Sequence, residues 1–152
     1  MEIKVGVVGA TGYAGAELVR LLLNHPYAKL TAISSVTFEG QKISEVYPSY
    51  LGLCDMVCKT QEEVVEKCDV VFAALPHGLS QELAAACAKR MKFFIDLGAD
   101  FRLEDEETYK TWYGCEFLDK ALHEQAVYGL PELFRPFIRG KSLTANPGCY
   151  AT

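Results

Sequence analysis

The sequence has little positive charge and no long apolar run. Its 152 residues carry 15 Lys and Arg against 20 Asp and Glu, which gives a formal net charge of −5. Because its basic residues form no cluster, we expect no nucleic-acid partner. No apolar stretch approaches the roughly 20 residues that a membrane-spanning helix requires, and the N-terminus lacks the pattern of a secretory signal peptide. These absences predict a cytoplasmic protein that does not enter membranes.

The six cysteines do not form the pattern of a metal site. Cys54 and Cys58 share a C-x3-C spacing, but no second pair of cysteines or histidines follows at the distance typical of zinc sites. Several of the cysteines stand in apolar or helical surroundings, where cytosolic proteins keep thiols reduced. The sequence therefore predicts no bound metal and no disulfide framework.

Short β-branched runs alternate with helical patterns along the chain. Strands are predicted at 3–9, 29–34, 69–75, 92–98 and 141–146. Helices are predicted at 14–25, 62–67, 80–91 and 104–114, residues 128–134 are predicted as a loop or turn, and residues 36–60 have no clear pattern. This alternation predicts an α/β fold, a doubly wound and mainly parallel Rossmann-type sheet with helices on both faces. The length suits a single domain over residues 1–152.

A glycine-rich segment follows the first predicted strand and opens the first predicted helix. It reads G-x-x-G-x-x-G over residues 9–15. In dinucleotide-binding folds such glycines allow a tight turn, a close approach of the pyrophosphate and close packing of helix on strand. A turn without a ligand is the alternative, but the strand and helix around it favour a cofactor site. The cofactor contacts predicted here are Gly9, Thr11, Gly12, Tyr13, Ala14 and Gly15.

The end of the second predicted strand favours NADP over NAD. An NAD-specific site usually has an acidic residue there to accept a hydrogen bond from the ribose 2′-hydroxyl. This chain has Ser34 and Ser35 instead, and its next carboxylate is Glu39. Hydroxyl groups donate to a 2′-phosphate and do not repel it, although no arginine stands beside them. We therefore predict an NADP site with Ser34 and Ser35 as ligands.

Three further strand ends carry unusual residues. The strand at 69–75 leads into Pro76-His77-Gly78, the strand at 92–98 leads to Arg102, and the last strand leads into Asn146-Pro147-Gly148-Cys149. In parallel sheets, ligands bind beyond the carboxyl ends of the strands. The residues alone leave Cys149 open to two interpretations, a terminal thiol without a role or a nucleophile presented by the Pro-Gly turn.

Five segments resemble a known family. In chain order they are GVVGATGYAGAELVRLL, ALPHGLSQ, DLGADFRL, VYGLPEL and NPGCYAT. Together they resemble the N-acetyl-γ-glutamyl-phosphate reductases of arginine biosynthesis, which are related to the aspartate-semialdehyde dehydrogenases. The glycine loop alone is shared with many dehydrogenases, whereas the five segments together are specific.

The resemblance implies an activity and a role for several residues. The family reduces an acyl phosphate to an aldehyde with NADPH through a cysteine thioester, and Cys149 matches the nucleophile. Arg102 and Asn146 are implied as substrate contacts, Arg102 by pairing with a phosphate or carboxylate. Residues implied to line the nicotinamide are Pro76, His77 and Gly78.

The resemblance also implies that more protein follows Thr152. The family has a larger catalytic domain that carries the histidine base, and its full-length members are expected to be homo-oligomers. Residues 1–152 are thus predicted to be an NADP-binding domain that binds its dinucleotide without turnover.

Other functions remain as alternatives. One is a nucleotide-sensing Rossmann module in which the cysteine is incidental, and another is an enzyme like aspartate-semialdehyde dehydrogenase. A short-chain reductase would need a Tyr-x-x-x-Lys pair, and none of the eight tyrosines has a lysine four residues later.

Overall fold

Strands and helices alternate along the chain in the computed structural model, which describes residues 2–152. The elements group into two units, one ending at Ala74 and one running from Leu75 to Thr152. Within each unit, every pairing between named strands is parallel. The predicted α/β class with a mainly parallel sheet is confirmed.

The elements of the first unit, in chain order, are β1 (Ile3–Val8), α1 (Tyr13–Leu22), β2 (Ala28–Ser34), α2 (Ile43–Val46), β3 (Cys58–Lys59), α3 (Gln61–Lys67) and β4 (Val70–Ala73). A 3₁₀ turn at Pro48–Tyr50 lies between α2 and β3. The strand order in the sheet of this unit is β3-β2-β1-β4. Because β1 has a neighbour on each side, the loop that follows it begins at the middle of the carboxyl edge of the strands.

Helices cover both faces of the sheet in the first unit. Alternate residues of a strand point to opposite faces. On one face, Val5 and Val7 of β1 pack in the same buried cluster as Val19 of α1. On the other face, a Cβ atom added to Gly6 would lie 2.4 Å from the Val64 side chain of α3. The absence of a side chain at Gly6 therefore allows α3 to pack closely on the face opposite α1.

The elements of the second unit, in chain order, are α4 (Gln81–Lys89), β5 (Phe93–Asp96), α5 (Glu106–Tyr113), α6 (Lys120–Gln125), β6 (Val127–Tyr128), α7 (Pro131–Ile138) and β7 (Leu143–Ala145). The strand order in this unit is β5-β7-β6. Strands β5 and β7 pair so that Asp96 lies opposite Ala145, which places the segments after both strands side by side.

The prediction of a loop or turn over residues 128–134 is wrong. Strand β6 ends at Tyr128, and helix α7 begins at Pro131. Proline suits the first position of a helix because its ring fixes φ near the helical value and no amide partner is needed there. A strand of two residues shows no periodicity in the sequence, since its pairing with β7 defines it.

No helix among residues 2–152 combines the length and the apolar character that crossing a membrane would require. Helix α1 has ten residues, about half of the roughly 20 residues needed.

Candidate functional site

The glycine loop joins the end of β1 to the start of α1. The chain turns at Gly9, whose φ of 79° lies in the left-handed region that favours glycine. The amides of Gly9 and Ala10 donate to the carbonyl of Ser34 over 3.1 and 2.9 Å, and the amide of Gly12 donates to the carbonyl of Gly9 over 3.1 Å. The loop is thus fixed to the end of β2 by its own backbone.

Gly12 and Gly15 differ in what surrounds them. A Cβ atom at Gly15 would lie 2.0 Å from the carbonyl oxygen of Gly9, so the packing of α1 on the loop excludes a side chain there. A Cβ atom at Gly12 would meet the Gly9 carbonyl oxygen at 3.5 Å, an ordinary contact. Since Gly12 has φ −76° and ψ 164°, any residue fits its backbone. Open space at Gly12 is what a closely approaching pyrophosphate would need.

The first turn of α1 suits an anion. The helix begins at Tyr13 after Gly12, which has no side chain to bond the first amides. The first turn carries no acidic residue, and the ten-residue helix directs its positive dipole end toward the loop. Thr11 joins the site through its hydroxyl, which lies 2.6 Å from the hydroxyl of Ser35. The predicted contacts at residues 9–15 therefore surround one turn.

Ser34 and Ser35 lie at the carboxyl end of β2, and both are buried. The Ser35 hydroxyl also accepts the amide of Phe38 over 3.2 Å. A cavity of about 240 Å³ opens beside the two serines. Its lining residues are Ser34, Ser35, Val36, Glu39, Lys59, Thr60, Gln61 and Glu62.

Lys59 supplies the positive charge that the sequence did not show beside the serines. It pairs in register with Ser34 across β2 and β3, and it lines the same cavity together with two glutamates. Sequence reasoning missed Lys59 because β3 has two residues and its place depends on pairing with β2. The available signal was its position four residues before Glu63, a spacing typical of an ion pair on a helix, which marks Lys59 as a residue near the start of α3.

In the second unit, Asp100 holds the segment that contains Pro76, His77 and Gly78. Its carboxylate accepts the amide of Gly78 over 2.6 Å and the amide of Ser80 over 2.8 Å. It also accepts the hydroxyl of Tyr109 over 2.9 Å. Burial and this bond to Asp100 raise the pKa of Tyr109. Asp100 is fully buried, and the three hydrogen bonds that it accepts make it the anchor of this loop. His77 lies exposed on the same loop.

Asp96 is the second buried carboxyl group of this unit. One of its oxygens accepts the amide of Gly98 over 2.9 Å. Burial raises the pKa of Asp96, and the nearby Ser80 hydroxyl and the Gly98 amide oppose this rise in part. Among the described residues, the second Asp96 oxygen and the Ser80 oxygen have no hydrogen bond of ordinary geometry. The Ser80 hydroxyl therefore lies close enough to affect Asp96 without a well-formed bond.

Cys149 lies beyond the end of β7, in a turn formed by residues 149–151. Its thiol is exposed, whereas Cys54, Cys58, Cys68 and Cys87 are buried and Cys115 is partly buried. The amide of Ala151 donates to the carbonyl of Gly148 over 3.1 Å and closes this turn. The predicted nucleophile is thus the most accessible cysteine of the chain.

Arg102 lies beside the segment that leads to Cys149. Its Nε donates to the carbonyl of Asn146 over 2.8 Å, and its Nη2 donates to the carbonyl of Leu97 over 2.7 Å. The side-chain amide of Asn146 donates to the carbonyl of Pro147 over 3.0 Å. The structure thus brings Arg102, Asn146 and the cysteine segment together. The two carbonyl bonds use two of the five N–H donors of the guanidinium, so the donors of Nη1 can still pair with a substrate anion.

Known proteins similar to this chain agree with these features. The family model described as semialdehyde dehydrogenase, NAD binding domain, matches residues 4–140. The N-acetyl-gamma-glutamyl-phosphate reductase of Clostridium beijerinckii is 53% identical over 150 residues, which are 99% of this chain and 44% of that protein. The corresponding reductase of Desulforamulus reducens is 52% identical over 155 residues, with the same coverage. The chain thus spans less than half the length of these curated relatives.

Solved structures show the same fold. The aspartate semialdehyde dehydrogenase II of Vibrio cholerae, complexed with ASA, aligns with 99% of this chain and 43% of its own, at a TM-score of 0.69 and 18% identity. The aspartate semialdehyde dehydrogenase of Candida albicans, solved with NADP, aligns with 70% of this chain and 32% of its own, at a TM-score of 0.60 and 24% identity.

The glycine loop, the open space at Gly12 and the free first turn of α1 fit a dinucleotide. The family description and the reductase names of the relatives support NADP as this cofactor. The family predicted from the sequence motifs is confirmed, and the chain belongs to the semialdehyde dehydrogenase NAD-binding domain family.

Proposed function

We propose that this chain is the cofactor-binding part of an NADPH-dependent reductase that converts N-acetyl-γ-glutamyl phosphate into N-acetylglutamate semialdehyde. The exposed thiol of Cys149 beyond β7 carries this proposal, because a reductase of this kind needs an accessible nucleophile at a strand end. The curated relatives, 53% and 52% identical, bear the name of this enzyme. The longer protein is proposed to act in the cytoplasm as a homo-oligomer.

Cys149 has a defined part in the proposed reaction. Its thiolate forms a bond to the acyl carbon, the bond from that carbon to the phosphate oxygen breaks, and phosphate leaves with the electron pair. The resulting thioester accepts a hydride more readily than a carboxylate would. Bound NADPH supplies that hydride. When the carbon–sulfur bond then breaks, the aldehyde leaves and the thiolate of Cys149 is restored.

The first unit carries the proposed preference for NADP. Ser34 and Ser35 are buried at the wall of a cavity of about 240 Å³, and Lys59 contributes a cation to the same wall. An ammonium group attracts a 2′-phosphate, while the serine hydroxyls donate hydrogen bonds to it. Glu39 and Glu62 also line the cavity, and the Lys59 ammonium group lies 3.7 Å from the Glu63 carboxylate, so a 2′-phosphate would compete with Glu63 for this cation.

Calorimetric titration tests the cofactor proposal directly. NADP and NAD are titrated separately into the 152-residue chain at one ionic strength, because charge-dependent affinities vary with salt. We expect NADP to bind more tightly than NAD. Equal affinities would contradict the proposed 2′-phosphate site and leave the dinucleotide site standing, whereas no binding of either nucleotide would contradict both.

Activity requires the full-length protein. We expect it to reduce N-acetyl-γ-glutamyl phosphate with NADPH and to discriminate against aspartyl phosphate. Turnover of aspartyl phosphate alone would favour the aspartate-semialdehyde dehydrogenase alternative. A protein that binds NADP and reduces neither acyl phosphate would support the nucleotide-sensing module instead.

A further inference from the structure

The segment between β2 and β3 contacts the glycine loop through a tyrosine. Residues 36–60 show no clear pattern in the sequence, yet the structure brings Tyr47, which directly follows α2, against the turn that precedes α1. The hydroxyl of Tyr47 donates to the carbonyl of Thr11 over 2.7 Å, across 36 positions of the chain and within the first unit. The glycine loop is therefore held by a distant side chain as well as by its own backbone.

The bond from Tyr47 completes the hold on one peptide group of the loop. The carbonyl of Thr11 and the amide of Gly12 belong to the same planar peptide. That amide donates to the carbonyl of Gly9 over 3.1 Å, while the carbonyl accepts the hydroxyl of Tyr47. Because both ends of the peptide are bonded, it cannot rotate without breaking a hydrogen bond.

Tyr47 itself rests on well-packed neighbours. Its amide donates to the carbonyl of Ile43 over 2.8 Å, and its carbonyl accepts the amide of Tyr50 over 2.9 Å. The rings of Tyr47 and Tyr50 meet edge to face, with their centroids 6.4 Å apart. The hydroxyl of Tyr50 in turn donates to the carbonyl of Ala16 in α1. Since Ile43 and Tyr50 belong to the buried core of this unit, the hydroxyl of Tyr47 has a rigid base.

The orientation of the bonded peptide matters for an anion at the loop. N–H groups at the start of a helix attract a pyrophosphate, whereas a carbonyl oxygen, which carries a partial negative charge, repels it. The peptide between Thr11 and Gly12 precedes the first turn of α1, beside the open space at Gly12. A rotation that freed the Thr11 oxygen from Tyr47 would leave an unpaired negative partial charge beside that space.

We propose that Tyr47 is a positioning residue for the cofactor, whose hydroxyl holds the Thr11 carbonyl and so keeps the glycine loop in the form that receives a pyrophosphate. This inference rests on the proposed dinucleotide site at the loop. Tyr47 does not line the cavity beside Ser34 and Ser35. Its contribution should therefore be the same for NADP and for NAD, in contrast to that of Lys59.

Calorimetric titration of Tyr47→Phe in the 152-residue chain with three ligands tests this role. NADP and NAD both contain the pyrophosphate, whereas adenosine 2′-phosphate lacks it. Phenylalanine keeps the ring and removes only the hydrogen bond, so we expect NADP and NAD to bind about 3- to 10-fold more weakly, by the same factor. Adenosine 2′-phosphate should bind as it does to the wild type. Unchanged affinity for the dinucleotides, a loss confined to NADP, or an equal loss for all three ligands would overturn the proposal.

Tyr50→Phe is the matched control. It removes a hydroxyl that bonds a carbonyl within α1 and leaves the bond to Thr11 in place. We expect its dinucleotide affinities to match the wild type, and thermal unfolding reports any loss of stability in either variant. Equal losses of affinity in both variants would show a general loosening of this segment and refute the positioning role. A wild-type chain that bound neither dinucleotide would refute the pyrophosphate site itself, and the role of Tyr47 with it.

Discussion

The two glycines at the start of α1 should respond differently to the same substitution. In Gly15→Ala, the added Cβ atom would stand 2.0 Å from the carbonyl oxygen of Gly9, and the nearest atoms all belong to the backbone. Overpacking of this kind costs about 1–3 kcal/mol. For a chain of this length, that range corresponds to a drop in Tm of roughly 2–12 °C. The loop would also shift, so nucleotide binding should weaken together with stability.

Gly12→Ala should hardly change the stability of the fold. The Cβ atom would make an ordinary contact at 3.5 Å, and the backbone at φ −76° and ψ 164° accepts alanine. Replacing glycine by alanine stabilises the folded state by about 0.4–1 kcal/mol, because alanine restricts the unfolded chain. Part of this gain is lost because alanine caps a helix less well than glycine does. However, the methyl group would occupy the approach of the pyrophosphate. We expect both NADP and NAD to bind about 10- to 100-fold more weakly, which corresponds to about 1–3 kcal/mol.

Two measurements decide the comparison. Thermal unfolding without nucleotide reports the Tm of both variants, and calorimetric titration reports the affinities for NADP and NAD. The expected pattern is a lowered Tm for Gly15→Ala and weakened binding at wild-type Tm for Gly12→Ala. If Gly12→Ala bound both nucleotides like wild type, the glycine loop would be a turn and no phosphate site. If Gly15→Ala had the Tm of the wild type, the inference that α1 packs too closely on the loop for a side chain would be wrong.

Three other changes test the remaining sites. Lys59→Ala should weaken the binding of NADP about 10-fold and leave the binding of NAD unchanged. The control is Lys67→Ala, which removes a lysine that does not line the cavity and should change neither affinity. Equal losses of NADP affinity in both variants would refute the role of Lys59. Because burial raises the pKa of Asp96 above its ordinary 3.8, the folded state holds this proton more tightly, and stability is lost as pH rises from about 4 through the raised pKa. Asp96→Asn keeps an acceptor for the Gly98 amide, so its unfolding free energy should fall less between pH 4 and 8, and parallel curves would contradict this. In the full-length protein, Cys149→Ser should abolish acyl-phosphate reduction at unchanged NADP affinity, and a normal rate would show the thiol to be incidental.

The parts of the fold that were predictable have strong local patterns. Strands β1, β4 and β5 are β-branched or aromatic runs, and the glycines at 9–15 mark the turn into α1. The parts that were not predictable depend on distant partners. Strand β3 consists of Cys58 and Lys59, which become a strand because they pair with Ile33 and Ser34 more than twenty residues earlier. Local periodicity carries no signal for such pairing.

The candidate site also has one part that local sequence patterns predict and one part that depends on distant residues. The glycine spacing predicts where a pyrophosphate approaches, and the structure distinguishes Gly12 from Gly15 by the atoms around each one. The bond from Arg102 to the carbonyl of Asn146, 44 residues later, could not be predicted. A side chain that bonds to backbone carbonyls has no partner residue type to recognise, since every residue offers a carbonyl.

Asp96 and Asp100 show how two similar carboxyl groups acquire different functions. Asp100 accepts three donors and thereby fixes the loop that carries His77. The side chain of Asp96 accepts one well-formed hydrogen bond, from the amide of Gly98, so hydrogen bonding offsets less of the cost of burying this carboxyl group. A buried carboxyl group that accepts few hydrogen bonds favours its neutral form. Asp100 therefore acts as a rigid support for the loop, whereas burial raises the pKa of Asp96, so the Asp96 carboxyl group keeps its proton to a higher pH than an exposed aspartate would.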